Sequence, residues 1–340
     1  MKKSQVTIKD IAKELGISAS TVSRALKNHP DISQKTRDAV HRLAEELNYQ
    51  PNAVALSLKN SRTRTIGVII PEIVHYFFSS VISGIEDVAY DAGYNVMICQ
   101  SNEKFEREVT NAQTLLSNRV EGILVSVTKE SDHFDHLKQF IKRGIPLIFF
   151  DRDAKGIEAD RILINDKMAG YKATKHLIEA GCKRIAHLCG PQSLTIAKER
   201  LSGYKQALEE ANIPFNEEYV LSADDFELGK KATRELLNLE TPPDGIFAVN
   251  DLTAIGAIKS IHNKGMNTPK DIAIVGFSSG RFADITEPTL TSIDQHGYEM
   301  GSKATELLIK RIESEEESIV HEDIFIETNL IIRESSIHNK

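Results

Sequence analysis

Residues Thr7–Asn28, with the sequence TIKDIAKELGISASTVSRALKN, decide the fold of the N-terminal part of this 340-residue chain. Apolar residues recur there at the spacing of one helix face, first at Ile8, Ile11, Ala12 and Leu15. Gly16 suits the end of this helix, and Ser18 suits the cap of a second helix. Two short helices joined by a glycine-containing turn predict a helix-turn-helix.

The second helix of this motif has an unusual outer face. Its residues are small or able to form hydrogen bonds: Ala19, Ser20, Thr21, Ser23 and Arg24. Small residues let a helix lie deep in the major groove of DNA, where an arginine can donate two hydrogen bonds to guanine. Ser33 suits the cap of a third helix, so the three helices could also form a plain bundle. In such a bundle the outer face of the second helix would simply be exposed to solvent. Spacing alone leaves both interpretations open.

The run Pro51–Lys59, PNAVALSLK, predicts one more short helix. Pro51 suits the first position of a helix because it needs no backbone donor there. About nine residues are too few for a stable isolated helix in water, so we expect this helix to fold only against a partner. The polar and basic residues 60–64 then predict a linker.

These motifs together resemble the DNA-binding head of the LacI/GalR repressor family. The residues that carry the resemblance lie in the runs 6–12, 18–28 and 48–59, and the likeness continues to about residue 335. The resemblance implies sequence-specific binding of double-stranded DNA, with repression of transcription as the usual outcome.

The resemblance also implies a role for individual residues of the head. The residues expected to contact base edges are Ala19, Ser20, Thr21 and Arg24. The residues expected on or near the DNA backbone are Thr7, Ser23, Lys27, Tyr49 and Asn52. Leu58 matches a hinge leucine that enters the minor groove, where an apolar wedge kinks the duplex; simple helix packing is the alternative.

Charge is distributed unevenly along the chain. The whole sequence carries a net charge of −7, but residues 1–64 carry +6 and the remainder carries −13. A basic head on an acidic body indicates that only the head contacts a polyanion. We therefore expect a DNA-binding domain at 1–50, a hinge helix and linker at 51–64, and a ligand-binding and dimerisation domain at 65–340.

From residue 65 onward the chain alternates between strand-like and helix-like patterns, which predicts parallel sheets. One series of apolar runs begins at Thr65 and ends near Phe150, and a second runs from Arg184 to Gly276. Two series predict two lobes, and the resemblance implies a periplasmic-binding-protein type I-like clamp. We expect lobe 1 at about 65–162 and 294–322, and lobe 2 at about 163–293 and 323–340.

Ligands of such sheets bind at the carboxyl ends of the strands, which face the cleft between two lobes. The effector-binding residues predicted on this basis and from the resemblance are Phe77, Ser126, Asp151, Arg200, Phe226, Asn250, Ser278 and Gln295. Amides, carboxylates, an arginine and aromatic faces suit a sugar or sugar derivative. Each residue also has a structural interpretation: Phe226 fits core or cleft equally, Arg200 can pair with a carboxylate, and Asp166 and Asp251 are expected to cap helices.

Ser278 departs from the family pattern, which often has an aspartate after the Gly-Phe turn that holds hydroxyls or an amine of the ligand. The hydroxyl of Ser278 is neutral and holds polyols less tightly than a carboxylate. This departure leaves the identity of the ligand open.

Several function classes are disfavoured by the sequence. It lacks the glycine-rich nucleotide-binding motifs and the nucleophile elbow of common α/β enzymes, so we expect no enzyme activity, cofactor or metal. Without a signal peptide or a long apolar run, and with three dispersed cysteines, we expect a cytoplasmic protein. The prediction is a homodimeric repressor of carbohydrate-related genes, with a tetramer left open and a sugar receptor or enzyme on the same body as alternatives.

Overall fold

The computed structural model describes residues 6–49, 62–314 and 320–337. The chain divides into two compact units, Met1–Thr63 and Arg64–Lys340. Residues of the predicted hinge helix, including Asn52 and Leu58, lie outside the described residues. None of the described helices is long and apolar enough to span a lipid bilayer.

The first unit contains three described helices, α1 (Ile8–Leu15), α2 (Ala19–Leu26) and α3 (Gln34–Glu46). The side chain of Ser18 accepts a hydrogen bond from the Thr21 amide, and the side chain of Ser33 caps α3 in the same way. Their shared core is small and apolar: Ile11, Ala12, Val22, Ala25, Ile32, Val40 and Ala44 are buried. The helix-turn-helix predicted from the sequence is therefore present.

The second unit has two series of strands and helices. The first series comprises β1 (Thr65–Ile70), α4 (Tyr76–Asp91), β2 (Asn95–Gln100), α5 (Phe105–Ser117), β3 (Gly122–Val125), α6 (Asp135–Lys142), β4 (Leu147–Phe150) and β5 (Asp160–Ile164). The second comprises α7 (Asp166–Glu179), β6 (Ile185–Cys189), α8 (Thr195–Glu210), β7 (Val220–Ser222), α9 (Phe226–Leu236), β8 (Gly245–Ala248), α10 (Asp251–Asn263), β9 (Ala273–Ser278), α11 (Arg281–Ile285) and β10 (Thr291–Asp294). Three elements follow: α12 (Gly297–Glu313), β11 (Asp323–Ile326) and β12 (Asn329–Ile331).

These strands form two six-stranded sheets, one in each lobe. The strand order is β11-β5-β4-β3-β1-β2 in lobe 1 and β12-β10-β9-β8-β6-β7 in lobe 2. All described pairings are parallel except the antiparallel pairing of β12 with β10. The fold class predicted from strand–helix alternation is confirmed.

The crossings between the lobes differ in part from the predicted boundaries. The chain leaves lobe 1 after β5, so a boundary at 162 cuts through that strand. Asp294 belongs to lobe 2 because β10 pairs with β9 there. The assignment of all of 323–340 to lobe 2 is wrong, because β11 pairs in parallel with β5 of lobe 1. Only the chain from β12 onward returns to lobe 2.

Candidate DNA-binding and effector-binding sites

The outer face of α2 presents the side chains that we predicted for base contact. Ser20 and Arg24 are exposed, whereas Ala19 and Thr21 are half-buried. Arg24 Nε lies 3.5 Å from the Ser20 carbonyl oxygen, one turn earlier on the helix. The hydroxyls of Ser20 and Thr21 lie within 2.8 Å of the Ser18 hydroxyl, so the cap of α2 holds both of them in place. Arg24 is thus the long donor that extends from this face.

Four of the residues predicted at the DNA backbone lie among the described residues: Thr7, Ser23, Lys27 and Tyr49. Lys27 is exposed and Ser23 is half-buried. Thr7 closes a capping box, in which its hydroxyl donates to Asp10 at 2.7 Å. Tyr49 packs against the head core, and burial raises the pKa of its phenol. Thr7 and Tyr49 therefore stabilise the head, in addition to the contact with the DNA backbone that we predict for them.

The second unit has a cavity of about 150 Å³ between its lobes. It is lined by Glu72, His75, Phe77, Phe78, Glu103, Lys129, Asp151, Arg152, Gly190, Pro191, Leu194, Ile196, Ala197, Arg200, Asp224, Asp225, Val249, Asn250, Ser278 and Gln295. Six of the eight predicted effector residues are among them. The other two, Ser126 and Phe226, are not. Ser126 is fully buried at the end of β3, and Phe226 is half-buried at the start of α9, where Lys230 lies over its ring.

Arg200 is fixed at the wall of this cavity by contacts from three elements. Its Nε donates to Asp166 Oδ1 at 2.7 Å, and a terminal nitrogen donates to the Val249 carbonyl at 2.9 Å. Its guanidinium carbon lies 3.6 Å from the centre of the Phe277 ring, a cation–π geometry. Burial raises the pKa of Asp166 to about 6, although the charge of Arg200 acts to lower it. The predicted pairing of Arg200 with a carboxylate and its predicted place in the cleft are both present.

Asp151 supplies a buried carboxyl group on the opposite lobe. It follows β4 and has a backbone φ of +59°. This left-handed conformation is uncommon for residues other than glycine. Burial raises the pKa of this carboxyl, and the charges of Arg152 and Arg200 act in the other direction. A buried carboxylate with cations nearby can accept hydrogen bonds from ligand hydroxyls.

Ser278 and Gln295 lie together where β9 and β10 end. The Ser278 hydroxyl donates to Gln295 Oε1 at 2.9 Å. The Gln295 amide nitrogen is buried and has no hydrogen-bond partner among the described residues. Ser278 thus orients the Gln295 side chain so that its amide nitrogen can donate to an acceptor atom of a ligand. A carboxylate at position 278 would compete with the ligand for that hydrogen bond.

Asn250 caps α10, because its side chain accepts a hydrogen bond from the Thr253 amide. The capping role expected for Asp251 is wrong: its carboxylate accepts from the Ser292 hydroxyl and the Gly280 amide instead. The capping role of Asp166 is also wrong, because Asn165 caps α7 and Asp166 binds Arg200. In both cases the residue one position earlier takes the cap.

One ion pair across the cleft was not predicted from the sequence. Lys129 Nζ of lobe 1 lies 2.8 Å from Asp224 Oδ2 of lobe 2, and the Lys129 carbonyl accepts from the Ser193 hydroxyl. Burial is the largest influence on Lys129 and acts to lower its pKa, but the hydrogen bond to Asp224 together with the negative charges of Asp224 and Glu103 raises that pKa overall. Lys129 lies in the loop after β3, and Asp224 lies in the loop after β7. Their positions after the ends of strands were the feature of the sequence that could have placed them in the cleft.

Two further contacts hold the loop that carries Lys129. Glu103 accepts from the Lys129 amide and pairs with Arg152, both at 2.9 Å. Glu108, fully buried, accepts from the Thr128 amide at 2.7 Å. Lys129 is therefore presented to the cleft by a loop with a fixed backbone.

A helix-turn-helix head joined to a two-lobed clamp with a polar cleft defines a ligand-responsive DNA-binding regulator. Residues 7–52 match the family described as bacterial regulatory proteins, lacI family. Residues 63–334 match periplasmic binding proteins and sugar binding domain of LacI family. The chain belongs to the LacI family, and it is a transcriptional regulator rather than an enzyme.

Known relatives and structures agree with this assignment. The chain is 36% identical to the ribose operon repressor of Halalkalibacterium halodurans, over 97% of each chain. It is 34% identical to the HTH-type transcriptional repressor PurR of Vibrio atlanticus, over 91% of this chain and 93% of that one. A structure of the lac repressor dimer bound to operator and the anti-inducer ONPF has a TM-score of 0.86 at 25% identity, covering 98% of this chain and all of that one.

Proposed function

We propose that this protein is a repressor of carbohydrate-related genes that binds a palindromic operator as a homodimer and is controlled by a sugar-like effector in the interlobe cleft. The observation that carries the proposal is the cavity between the lobes, where buried Asp151, Arg200 and Gln295 present charged and amide groups. Such a mixture of donors and acceptors suits a ligand with many hydroxyl groups. Two similar proteins, a ribose operon repressor and a LacI family transcriptional regulator with bound ribose, support the same interpretation.

DNA binding belongs to the head in this proposal. Ala19, Ser20, Thr21 and Arg24 contact base edges, and Thr7, Ser23, Lys27, Tyr49 and Asn52 contact the backbone. Two copies of Leu58, one from each subunit, wedge into the minor groove at the centre of the operator. A twofold dimer matches the twofold symmetry of a palindromic site. The protein acts in the cytoplasm, where its operator is.

Effector binding and operator binding are coupled in both directions. A ligand that prefers one arrangement of the lobes changes operator affinity, and the operator must change the affinity for that ligand by the same factor. The effector-contacting residues are Phe77, Asp151, Arg200, Asn250, Ser278 and Gln295. Ser126 and Phe226, which we also predicted from the sequence, are not part of the cavity lining.

The first test measures operator binding and ligand binding separately. An operator is selected from random duplexes with the full chain, and fluorescence anisotropy then compares the full chain with a chain that begins at residue 61. The shortened chain is expected to lose specific binding of the operator. It is expected to retain the binding of sugars, which is measured as a rise in its melting temperature. Specific operator binding by the shortened chain would refute the role of the head.

A further inference from the structure

A second cavity of about 170 Å³ adjoins the first one between the lobes. Lobe 1 contributes the loop after β3 and the segment after β4, and lobe 2 contributes the residues that begin α8. Its lining is Val127, Thr128, Lys129, Ser131, Phe134, Arg152, Asp153, Lys155, Ser193, Leu194, Thr195, Ile196 and Lys198. Lys129 and Arg152 line both cavities, so the two are neighbouring parts of one cleft.

The lining of the second cavity has more basic than acidic side chains. It has four basic side chains and one acidic side chain, and that acid, Asp153, is paired with Arg161 at 3.2 Å. Lys129 and Arg152 are paired with Asp224 and Glu103 of the first cavity. The two remaining side chains, Lys155 and Lys198, form no ion pair or hydrogen bond with any of the residues in 6–49, 62–314 and 320–337.

The amino end of α8 adds to this positive field. The helix is 16 residues long, its N-cap is Leu194, and no side chain caps it. The first amides of a helix have no partner within the helix, and its dipole places partial positive charge there. Thr195 and Ile196 of this first turn line the cavity. Amide donors and lysines that line one cavity between two lobes make a site for an anion.

The first cavity has the opposite character. Five carboxylates line it, against three fully cationic side chains and one histidine. Carboxylates accept from hydroxyls but repel a phosphate or a carboxylate. A ligand that carries both hydroxyls and one anionic group therefore has a single favourable orientation across the two cavities.

We propose that the second cavity is an anion subsite, and that the effector is a saccharide bearing a phosphate or carboxylate group. The anionic group lies between Lys155, Lys198 and the amino end of α8, and the hydroxyls lie in the first cavity. The inference rests on the proposed function of the first cavity and specifies its ligand. Because Lys155 belongs to lobe 1 and Lys198 to lobe 2, the anion also offsets their mutual repulsion and favours the closed arrangement.

The test removes the two lysines and uses defined probes on the full chain. The variant is Lys155→Gln with Lys198→Gln. Its matched control is Lys142→Gln with Lys259→Gln, which removes one exposed lysine from each lobe outside both cavities. Melting temperatures are measured in potassium phosphate and in potassium chloride of equal ionic strength. Calorimetry then compares glucose with glucose 6-phosphate and glucuronate, and ribose with ribose 5-phosphate.

Phosphate is expected to raise the melting temperature of the wild type and the control by about 2 °C more than that of the double variant. Among the saccharides, an anionic derivative is expected to bind at least tenfold more tightly than its neutral parent, with this preference lost in the double variant. The derivative that binds distinguishes a phosphate from a carboxylate. Equal phosphate shifts in all three proteins would assign phosphate to the basic head or to a general salt effect, and would overturn the proposal.

The failure of this inference can be distinguished from failure of the proposed function. If a neutral sugar binds the wild type, changes operator affinity, and binds the double variant equally well, the cleft is the effector site and the anion subsite is wrong. If the phosphate shift depends on the two lysines but no saccharide changes operator affinity, the anion subsite stands and the sugar-controlled function is wrong.

Discussion

Asp166 shows what a single buried carboxyl contributes to the cleft. Its partner Arg200 lies 34 positions later in the chain, on α8, and Arg200 Nε donates to Asp166 Oδ1 at 2.7 Å. We expected Asp166 to cap α7 because it lies where that helix starts. Only folding brings the Arg200 guanidinium close to Asp166. The carboxyl group therefore binds Arg200 and does not cap α7.

Asp166 is expected to make stability depend on pH. Its pKa is raised by burial from 3.8 to about 6, so the folded chain binds this proton more tightly than the unfolded chain. The resulting stabilisation is complete below pH 3.8 and is lost as the pH rises through about 6. Across that window the difference in unfolding free energy between wild type and Asp166→Asn should change by up to about 1.4 kcal/mol per pH unit.

Urea unfolding of the wild type and of Asp166→Asn at intervals between pH 4 and 7 measures this effect. The wild type should lose stability relative to the variant as the pH rises. A difference that stays constant over the whole range would show that this carboxyl has an ordinary pKa in the folded protein.

Arg24→Ala should weaken operator binding by about 1–3 kcal/mol and relax the preference at one base pair. The reason is that Arg24 is the long exposed donor on the outer face of α2. The matched comparison is Lys27→Ala, which should weaken binding to all duplexes alike and reduce its salt dependence. Anisotropy titrations against operators with single base-pair changes, at two salt concentrations, separate the two effects. Uniform weakening by Arg24→Ala would assign Arg24 to phosphate contact.

At the scale of elements, close contact between α7 and α8 positions the wall of the cleft. A Cβ atom at Gly203 would lie 2.0 Å from the Lys167 carbonyl oxygen, and one at Gly170 would lie 2.4 Å from the Arg200 carbonyl oxygen. Neither backbone oxygen can move without shifting its helix. The missing side chains therefore let α8 approach α7 closely enough for Arg200 to reach Asp166.

Gly203→Ala should destabilise the second unit by about 1–3 kcal/mol, because the added methyl group forces the two helices apart. Gln206→Ala on the same helix is the control, since the side chain of Gln206 donates a hydrogen bond to Glu210 on its own helix and alanine favours helix formation. Urea unfolding measures both variants. A Gly203→Ala protein as stable as the control would mean that the helices separate at little cost.

At the scale of the whole molecule, the chain crosses between the lobes three times, after β5, after β10 and after β11. The Lys129–Asp224 pair and the Ser193–Lys129 contact join the lobes across the cleft between them. Both side chains of the ion pair are partly exposed, at 34% and 23%, so water screens their attraction. The pair biases the arrangement of the lobes without locking it.

A double-mutant cycle of Lys129→Ala and Asp224→Ala should give a coupling energy of about 0.5–1 kcal/mol. Each single variant removes the bond across the cleft, so the second substitution should cost little more. Urea unfolding supplies the free energies, and small-angle scattering should show a larger radius of gyration for each variant. Strictly additive free energies and unchanged radii would mean that the pair does not hold the lobes together.

Local patterns determined the architecture because they depend on near neighbours in the chain. Helix periodicity and the caps at Ser18 and Ser33 predicted the head, and strand–helix alternation predicted two parallel sheets. Strand ends predicted four of the effector residues in the cavity lining, Asp151, Asn250, Ser278 and Gln295, since the carboxyl ends of parallel strands meet at one edge of a sheet. Phe77 and Arg200 lie on helices, and Arg200 was predicted from the family resemblance.

Tertiary structure alone decided which distant groups meet. The assignment of β11 to lobe 1, the Asp166–Arg200 bond and the Lys129–Asp224 bridge each join segments separated by 34 to 162 residues. Such pairings depend on how whole elements pack, and no local preference of the sequence encodes them. The sequence alone thus determined the kind of protein and the edge at which it binds a ligand, whereas the packing of the lobes decided the charges that face that ligand.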